Sequence, residues 1–446
     1  MKKFIVCFLV LLNLTPVFLF GCKSNAKILD CKIECELFSD KIKGSVQYQI
    51  NCKKGQNLFF ALYPNAFYKR ENALTASCVK INGKEVLANT FGDNALFMQV
   101  QNLNESGVIT VGMDFECVIE SDGSRLCYSE EIYNCAYFYP VYLGSEKPDF
   151  TYCDYGGLPC GGFFNFDVRL TLPSSMSVAC GGECVGVSTF EDKNGYRYDL
   201  KKAHIFSFFA SSKFNIVSKM WGYKRVNYYY CDDKHPENTL AFALDCLNFL
   251  NDNIGEYPYD VLSIVGMEIN KYSVVQAGLL IVNSNQSSNA FLRSLSSAIC
   301  KQYFSLAVDV GEYYNPYMGE GLSEFLTVEY LQGINLTTKE KHERYCQALI
   351  EQTKIMLGKE KLTLKKGLNY NGGEFNNKAE YFAVARYGGY LLFYYLDKEC
   401  EPIVKVLNRF YKEYQFKSVN ASDFIKCFKD KKMKAKKLLD EFLYVN

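Results

Sequence analysis

The stretch "GEYPYDVLSIVGMEINKYSVVQAGLLIVN", residues 255–283, marks the point at which the sequence pattern of the chain changes. It contains two apolar runs, "VLSIVGM" and "GLLIVN", each with the length and composition of a buried β-strand. Before it, residues 31 to about 215 alternate apolar with polar side chains, and turn clusters such as "NGK" and "SDGS" interrupt them, which predicts β structure. After it, apolar residues recur at helical spacing. The sequence therefore predicts an α+β protein with a β domain over residues 31–217 and a mostly helical domain over 218–446.

Two amphipathic stretches lie on either side of these strands. Residues 238–255 have helical spacing, with Asn238 as the expected cap and Gly255 as the stop. From Asn289 to Val308 the apolar positions form a single stripe, which predicts a helix with one buried face. Further helices are predicted at about 319–332, 338–357, 378–397, 401–414 and 421–444. The last of these is rich in lysine, and we interpret it as a solvated face.

The N-terminus has the pattern of a secretory signal. Lys2 and Lys3 precede an apolar run that ends in "LFGC" at Cys22, and such a short run after basic residues favours a signal peptide over a retained membrane span. The final four residues resemble a bacterial lipobox. We therefore expect residues 1–21 to be a lipoprotein signal peptide, Cys22 to carry lipid and residues 22–30 to form a tether. An ordinary signal peptide or a membrane anchor is the alternative.

The overall composition indicates which binding partners and which cellular compartment to expect. The chain has 50 basic and 49 acidic residues, so its charge gives no reason to expect nucleic-acid binding. With the lipid anchor, the expected location is the outer face of a bacterial cytoplasmic membrane. Of the 19 cysteines, Cys7 would leave with the signal peptide and Cys22 would carry lipid, which leaves an odd number. They cannot all pair with one another, and we expect many buried free thiols.

Several separated segments resemble the alanyl aminopeptidase family of gluzincin zinc metallopeptidases. They are "LFFALYPNAFY" (58–68), "FYPVY" (138–142), "FNFDVRLTLP" (164–173), the opening stretch (255–283) and "GEGLSEF" (319–325). The resemblance runs from about residue 31 to residue 430, in the order of the family. It implies a β-saddle domain packed on a thermolysin-like domain, with a cleft between them. It also implies zinc-dependent removal of N-terminal residues from peptides.

The zinc site of that family is His-Glu-x-x-His on one helix with a further Glu on the next. Two histidines at i and i+4 face one side of a helix and bind one ion, while the intervening Glu is the general base. In this chain the resemblance makes Glu320 the remnant third ligand. The family spacing then puts the histidine positions at Ser297 and Lys301 and the general base at Ala298, and "QYF" (302–304) supports this register.

No other residues restore the motif. The three histidines, His204, His235 and His342, are too far apart in sequence to form an i, i+4 pair, and we expect them to be structural or surface residues. Cys300 points about 100° away from Lys301 on the same helix, so it is a poor substitute ligand. We therefore expect no zinc or other cofactor.

A tyrosine that stabilises the tetrahedral intermediate is also part of the family's active site. Within "VARYGGYLLFYYL" (384–396) the family pattern puts Arg386 at the position of this tyrosine, while Tyr387 lies one residue away. Without a metal or a base, a tyrosine alone would not hydrolyse a peptide. Catalytic residues are therefore not expected.

Two features of the motif region suggest what replaces catalysis. Gly266, Met267 and Glu268 resemble the family's exopeptidase motif, whose Glu binds the substrate α-amine; the alternative is that they persist only for strand geometry. Lys301 lies where the ion would sit, and we predict a Lys301–Glu320 ion pair in place of the metal. The alternative is that Lys301 points to solvent.

Without the metal, the remaining carboxylates would face one another. Loss of the ion would leave Glu320, Glu268 and Glu324 close together in the cleft, and we expect raised pKa values for these groups.

Three functions are consistent with these observations. The first is a surface-anchored, non-catalytic aminopeptidase homologue that binds peptide N-termini or an envelope protein in the cleft. The second is an active metallo-aminopeptidase with an unrecognised metal site, and the third is a structural envelope protein. The missing histidines and base favour the first.

Overall fold

A computed structural model describes residues 29–102, 104–121, 125–129, 131–267, 275–284, 288–356, 368 and 370–443. The predicted signal peptide, the lipidation site Cys22, the tether up to residue 28 and Glu268 lie outside these residues. None of the helices in the described ranges has the length and apolar character needed to cross a membrane.

The first part of the chain, residues 29–211, is rich in β-sheet. Its strands are β1 Leu29–Leu37, β2 Lys41–Cys52, β3 Leu58–Ala61, β4 Leu74–Ile81, β5 Lys84–Glu85, β6 Ala88–Phe91, β7 Phe97–Val100, β8 Gly107–Val118, β9 Leu126–Ser129, β10 Ile132–Cys135, β11 Val141–Gly144, β12 Phe164–Pro173, β13 Ser177–Cys180, β14 Glu183–Phe190, β15 Lys193–Ala203 and β16 Phe208–Ser211. A short helix, α1 (Tyr63–Phe67), follows β3.

These strands form three sheets. The largest has the order β14-β15-β12-β1-β2-β8-β4-β5, and the two smaller sheets have the orders β13-β16-β10-β9 and β11-β3-β7-β6. In the large sheet β1 and β12 run parallel, whereas β2, β8 and β15 pair antiparallel with their neighbours. Buried and more exposed residues alternate along β1 and β12, because only one face of the sheet packs into the core.

The second part combines a five-stranded sheet with helices. Its strands are β17 Asn215–Trp221, β18 Lys224–Tyr230, β19 Val261–Met267, β20 Val275–Gln276 and β21 Leu279–Asn283, in the order β17-β18-β19-β21-β20. Its helices are α2 Pro236–Asn253, α3 Ser288–Tyr303, α4 Pro316–Gly333, α5 Lys339–Met356, α6 Lys378–Tyr381, α7 Gly389–Glu399, α8 Ile403–Tyr414, α9 Ala421–Lys426 and α10 Lys432–Leu443. Strands β19 and β21 are parallel and buried, which explains their continuous apolar runs.

The predicted order of a β-rich part followed by a helical part is confirmed. Residues 217 and 218, between which the sequence predicts the domain boundary, lie in β17, which pairs with β18. The single helix predicted at 421–444 is two helices, α9 and α10, because the chain turns between them at Lys431, whose φ is +51°.

The helix predicted at 378–397 is interrupted by a wider turn. Residues Phe382–Gly388, between α6 and α7, form a π-helical segment. Such segments are frequent at functional sites because the extra residue per turn changes which side chains face a neighbour. Here the segment contains Arg386, and it packs against α4 and α5.

A close crossing of α4 and α7 fixes the position of this segment. A Cβ atom on Gly321 would lie 2.7 Å from the backbone of Gly389, and one on Gly389 would lie 2.9 Å from Gly321 Cα. Only glycine at both positions allows the helix backbones to approach this closely. Helix α4 is buried along most of its length, so its polar side chains face other protein groups.

Candidate functional site

Helices α3 and α4 lie side by side and bring Lys301 and Glu320 together. The Lys301 Nζ atom is 2.6 Å from Glu320 Oε1 and 3.4 Å from Oε1 of Glu312, which lies in the loop between the two helices. The exposed fractions of the side chains are 16% for Lys301, 3% for Glu320 and 11% for Glu312. The ammonium group therefore lies between two carboxylates in a nearly closed environment, not in solvent.

The surroundings keep Lys301 protonated. Burial alone would lower its pKa, but attraction to Glu312 and Glu320 and the hydrogen bond to Glu320 more than compensate, so the pKa is raised. One oxygen of this cluster is not used: Glu320 Oε2 is buried and has no hydrogen-bond partner among the described residues. The cluster thus combines a fixed cation with a buried acceptor.

Tyr381, at the end of α6, completes this first cluster. Its hydroxyl is 3.4 Å from Glu320 Oε1 and 3.5 Å from Glu312 Oε1. Burial, followed by the nearby negative charges, raises the pKa of Tyr381, so the phenol stays protonated and can donate to a carboxylate. The sequence pattern suggested only Arg386 and Tyr387 for this location. It does not indicate Tyr381, because the contact of Tyr381 with Glu320 joins residues that are far apart in sequence and no local spacing specifies it.

A second cluster surrounds Glu324, one turn further along α4. Its carboxylate is fully buried and accepts from Arg386 Nε at 2.7 Å. It also contacts the guanidinium of Arg293 on α3, and His342 Nε2 on α5 lies 2.9 Å from it. Four segments of the helical part therefore meet at one carboxylate.

The expected rise in carboxylate pKa is wrong for Glu324. Burial alone would raise its pKa, but Arg386, Arg293 and His342 act in the opposite direction, and the net pKa is well below the usual value. The sequence prediction counted the carboxylates left by a missing ion but not the two arginines that approach this one. Glu324 is therefore an anion at neutral pH.

Two further positions of the resemblance lie beside these clusters. Ser297 Oγ accepts a hydrogen bond from Arg386 Nη2 at 2.9 Å, which joins the residues that the resemblance assigns to the first histidine and to the tyrosine. Ala298, which the resemblance assigns to the general base, is 6% exposed and has only a methyl side chain. A methyl group cannot accept a proton.

The three histidines lie in different places. His342 is buried, and burial is the main reason that its pKa is lowered, so it is neutral at pH 7. Its Nε2 atom lies 3.3 Å from Cys346 Sγ, and its ring also contacts Glu324 and Arg293. His204 Nδ1 lies 2.9 Å from the Gly162 carbonyl oxygen, and His235 immediately precedes α2.

These residues do not fit a zinc ion. Within the described ranges no three His, Cys, Asp or Glu residues are grouped so that they could hold a metal. A catalytic zinc needs three such ligands, whereas the Lys301 ammonium group puts a positive charge beside Glu320, the residue that the resemblance assigns as a ligand. Cys300 does not help, because its sulfur lies 3.9 Å from Thr327 Oγ1 in the core.

A loop of the β-rich part covers the first cluster. Tyr313 donates to the Thr151 carbonyl oxygen at 2.6 Å, and Tyr155 donates to the Phe375 carbonyl oxygen at 2.7 Å. A Cβ atom on Gly156, whose φ is +73°, would lie 2.5 Å from the Tyr381 hydroxyl. The loop therefore approaches the cluster so closely that a side chain at residue 156 would collide with it.

The predicted amine-binding residues are only partly described. A Cβ atom on Gly266 would lie 2.4 Å from the Tyr228 hydroxyl, so the strand has no space for a side chain there. Met267 follows at the end of β19 and is partly buried, whereas Glu268 lies outside the described residues. For Gly266 itself, the packing is sufficient reason for a glycine.

Comparison with known proteins shows the fold. No protein-family model and no curated protein matches the sequence. Among solved structures, the M1 zinc metallopeptidase from Deinococcus radiodurans has a TM-score of 0.67 at 14% identity over 94% of each chain. A point mutant of that enzyme gives 0.69 at 13% identity over 94% of this chain and 95% of that chain, and the same mutant with a Tyr-Ser-Ala substrate gives 0.66. The two-part architecture therefore matches that of M1 metallopeptidases.

Proposed function

We propose that this chain is a non-catalytic homologue of the M1 aminopeptidases, anchored by lipid at Cys22 to the outer face of a bacterial membrane. Its β-rich part would correspond to the family's saddle domain and its helical part to the thermolysin-like domain. The observation that carries the proposal is the 2.6 Å contact between Lys301 Nζ and Glu320 Oε1. In this proposal, a lysine takes the place of the metal of the active family members.

The surrounding charges support the same conclusion. Hydrolysis would require a general base within reach of the attacking water, and Ala298 offers none. Arg386 is committed to Glu324 and Ser297, with distances of 2.7 and 2.9 Å. Its pKa is raised, chiefly because attraction to Glu324 outweighs the effect of burial, so the group is a permanent cation. This part of the cleft therefore provides binding electrostatics without proton transfer.

We propose peptide N-termini as the ligand of the cleft. Glu320 Oε2 is a buried acceptor with no partner in the described part of the chain, and an ammonium group would reach it once the loop that carries Gly156 moves away. Glu312 lies nearby, and Glu268 is the residue that the family resemblance assigns to this role. An envelope protein that presents a free N-terminus would use the same contacts.

The first test combines metal analysis with turnover. We expect the chain from residue 22 onward, carrying Cys22→Ser, to purify without stoichiometric zinc and to leave aminoacyl-amide substrates intact even when zinc is added. The expected reason is that Ser297, Ala298 and Lys301 cannot supply ligands or a base. One zinc per chain together with turnover that a chelator abolishes would contradict the proposal and favour an active metallo-aminopeptidase.

The second test concerns the ligand. We expect a peptide with a free N-terminus to bind at least about tenfold more tightly than its N-acetylated form, because a charge-assisted hydrogen bond is worth about 1.5–3 kcal/mol. Glu268→Gln should reduce this preference, whereas Glu351→Gln on the exposed face of α5 should not. Calorimetric titration measures both. Equal affinity for both peptides would instead favour the structural envelope role.

A further inference from the structure

Positive charge is concentrated at the C-terminal end of the described chain. Residues 426–437, from the end of α9 into α10, contain seven lysines and a single aspartate, a formal charge of +6. The complete chain has a net charge of only +1, so all other residues together are acidic. We call this segment the lysine surface; its lysines are Lys426, Lys429, Lys431, Lys432, Lys434, Lys436 and Lys437.

The folding of α10 turns this segment outward. Ala435 and Leu439 are buried, while every lysine of the surface is exposed. Some of these lysines have local partners: Lys426 pairs with Asp423 at 2.8 Å and Lys434 with Glu399 at 2.9 Å.

Other ammonium groups of the surface are not neutralised. Within the described ranges, no carboxylate lies within 4 Å of the ammonium groups of Lys429, Lys432 or Lys436. Met433 lies among these lysines and is 80% exposed. The lysine surface thus combines uncompensated cations with one protruding apolar side chain.

We infer that the lysine surface docks on a membrane whose outer leaflet is rich in anionic lipid. Clusters of four to eight lysines bind such surfaces through charge attraction, and an apolar side chain among them can enter the headgroup region. Single-stranded nucleic acid is the competing polyanion, but its recognition uses exposed aromatic rings on which bases stack. The aromatic residue of the segment, Phe428, is buried.

The position of the first described residue supports this orientation. Leu29 pairs with Phe164 in the large sheet. The adjacent residue, Phe163, contacts Phe416 in the segment between α8 and α9, with ring centroids 5.8 Å apart. Residues 22–28 can span at most about 25 Å when fully extended. If Cys22 is lipidated, the chain therefore enters the folded part next to the region from which α9 and α10 continue. The positive charge of the lysine surface is the same with or without lipid on Cys22.

Vesicle binding tests the inference. The chain from residue 22 with Cys22→Ser is mixed with phosphatidylcholine vesicles, with or without phosphatidylglycerol, and the bound fraction is measured by flotation. We expect binding only with phosphatidylglycerol, and weaker binding at high salt because surface charge is screened. A variant with Lys429→Gln, Lys432→Gln and Lys436→Gln should bind about 100-fold more weakly, since each lysine contributes about fivefold. Met433→Gln should reduce the binding that remains at high salt.

A matched variant controls for total charge. Lys53→Gln, Lys54→Gln and Lys84→Gln remove the same charge from exposed positions of the β-rich part and should leave vesicle binding within about twofold. Thermal unfolding of both variants checks that each remains folded. Absence of phosphatidylglycerol-dependent binding, or an equal loss in both variants, would overturn the inference. So would single-stranded DNA binding as tight as vesicle binding and equally sensitive to the Lys429, Lys432 and Lys436 changes.

Discussion

Glu324→Gln is expected to lower the free energy of unfolding by about 3–5 kcal/mol, because it leaves two arginines facing a neutral, buried amide. In the native protein the carboxylate of Glu324 is fully buried and compensates both Arg386 and Arg293. Removing one partner of a buried ion pair costs more than the pair contributes, since the other partner remains desolvated. Urea unfolding followed by circular dichroism measures the change.

The pH dependence provides an independent check of the same cluster. The pKa of Glu324 in the folded protein is well below its value in the unfolded chain, so its stabilising effect is present above about pH 4.3. It is lost as the pH falls through the folded-state pKa. The difference between wild type and Glu324→Gln should therefore be largest near neutral pH and should shrink below about pH 4.

An exposed carboxylate is the control for this experiment. Glu351 pairs with Lys354 on α5 and is 64% exposed, so Glu351→Gln should change stability by no more than about 0.5 kcal/mol. An equally small effect of Glu324→Gln, or an effect independent of pH, would show that Glu324 is not the buried anion that compensates Arg386 and Arg293.

The second large effect is expected for Lys301→Met, which keeps the length of the side chain but removes its charge. The substitution leaves Glu320 and Glu312 without their shared cation, and we expect a loss of about 3 kcal/mol near pH 7. Because the folded variant would take up a proton between the two carboxylates more readily than the unfolded chain, its stability should increase as the pH is lowered from 7 to 5. Urea unfolding at several pH values measures both quantities.

A double substitution separates charge from packing. Combining Lys301→Met with Glu320→Gln removes the cation and the carboxylate closest to it, so the loss should be smaller than the sum of the two single losses by at least about 1 kcal/mol. Additive losses would show that Lys301 stabilises the protein by packing alone. In the native protein, Lys301 should contribute its full stabilisation to the free energy of unfolding at neutral pH. Because its pKa is raised, this stabilisation is lost only above about pH 10.4.

The sequence was sufficient for the architecture and for part of the site. Alternation in "FNFDVRLTLP" predicted a half-buried strand, and β12 alternates in this way because one sheet face is solvated. Helical spacing, together with the alignment to the family motif, predicted that Lys301 lies on the face of α3 directed toward Glu320. Both inferences depend on local periodicity, which backbone geometry fixes at 2 residues for strands and about 3.6 for helices.

The parts of the site that could not be predicted from the sequence are of two kinds. In one the regular helical spacing is interrupted, and in the other the contacts join residues that are far apart in sequence. Tyr381 immediately precedes the π-helical segment Phe382–Gly388 and Arg386 lies within it, so a regular helical register does not describe how the two side chains are placed. The contact of Arg293 and His342 with Glu324 joins three helices, and neither spacing nor composition specifies such a meeting. The loop over the first cluster was missed for the same reason, because Gly156 and Tyr381 are far apart in sequence.

The widened turn at Phe382–Gly388 also limits how the neighbouring end of α3 could be redesigned. The turn holds Arg386 so that its Nη2 atom donates to Ser297 Oγ at 2.9 Å. A histidine introduced at position 297 would therefore lie beside a guanidinium group, whose charge opposes the binding of a metal cation. Adding ligands to α3 alone would not create a metal site, because Arg386 would have to be replaced as well.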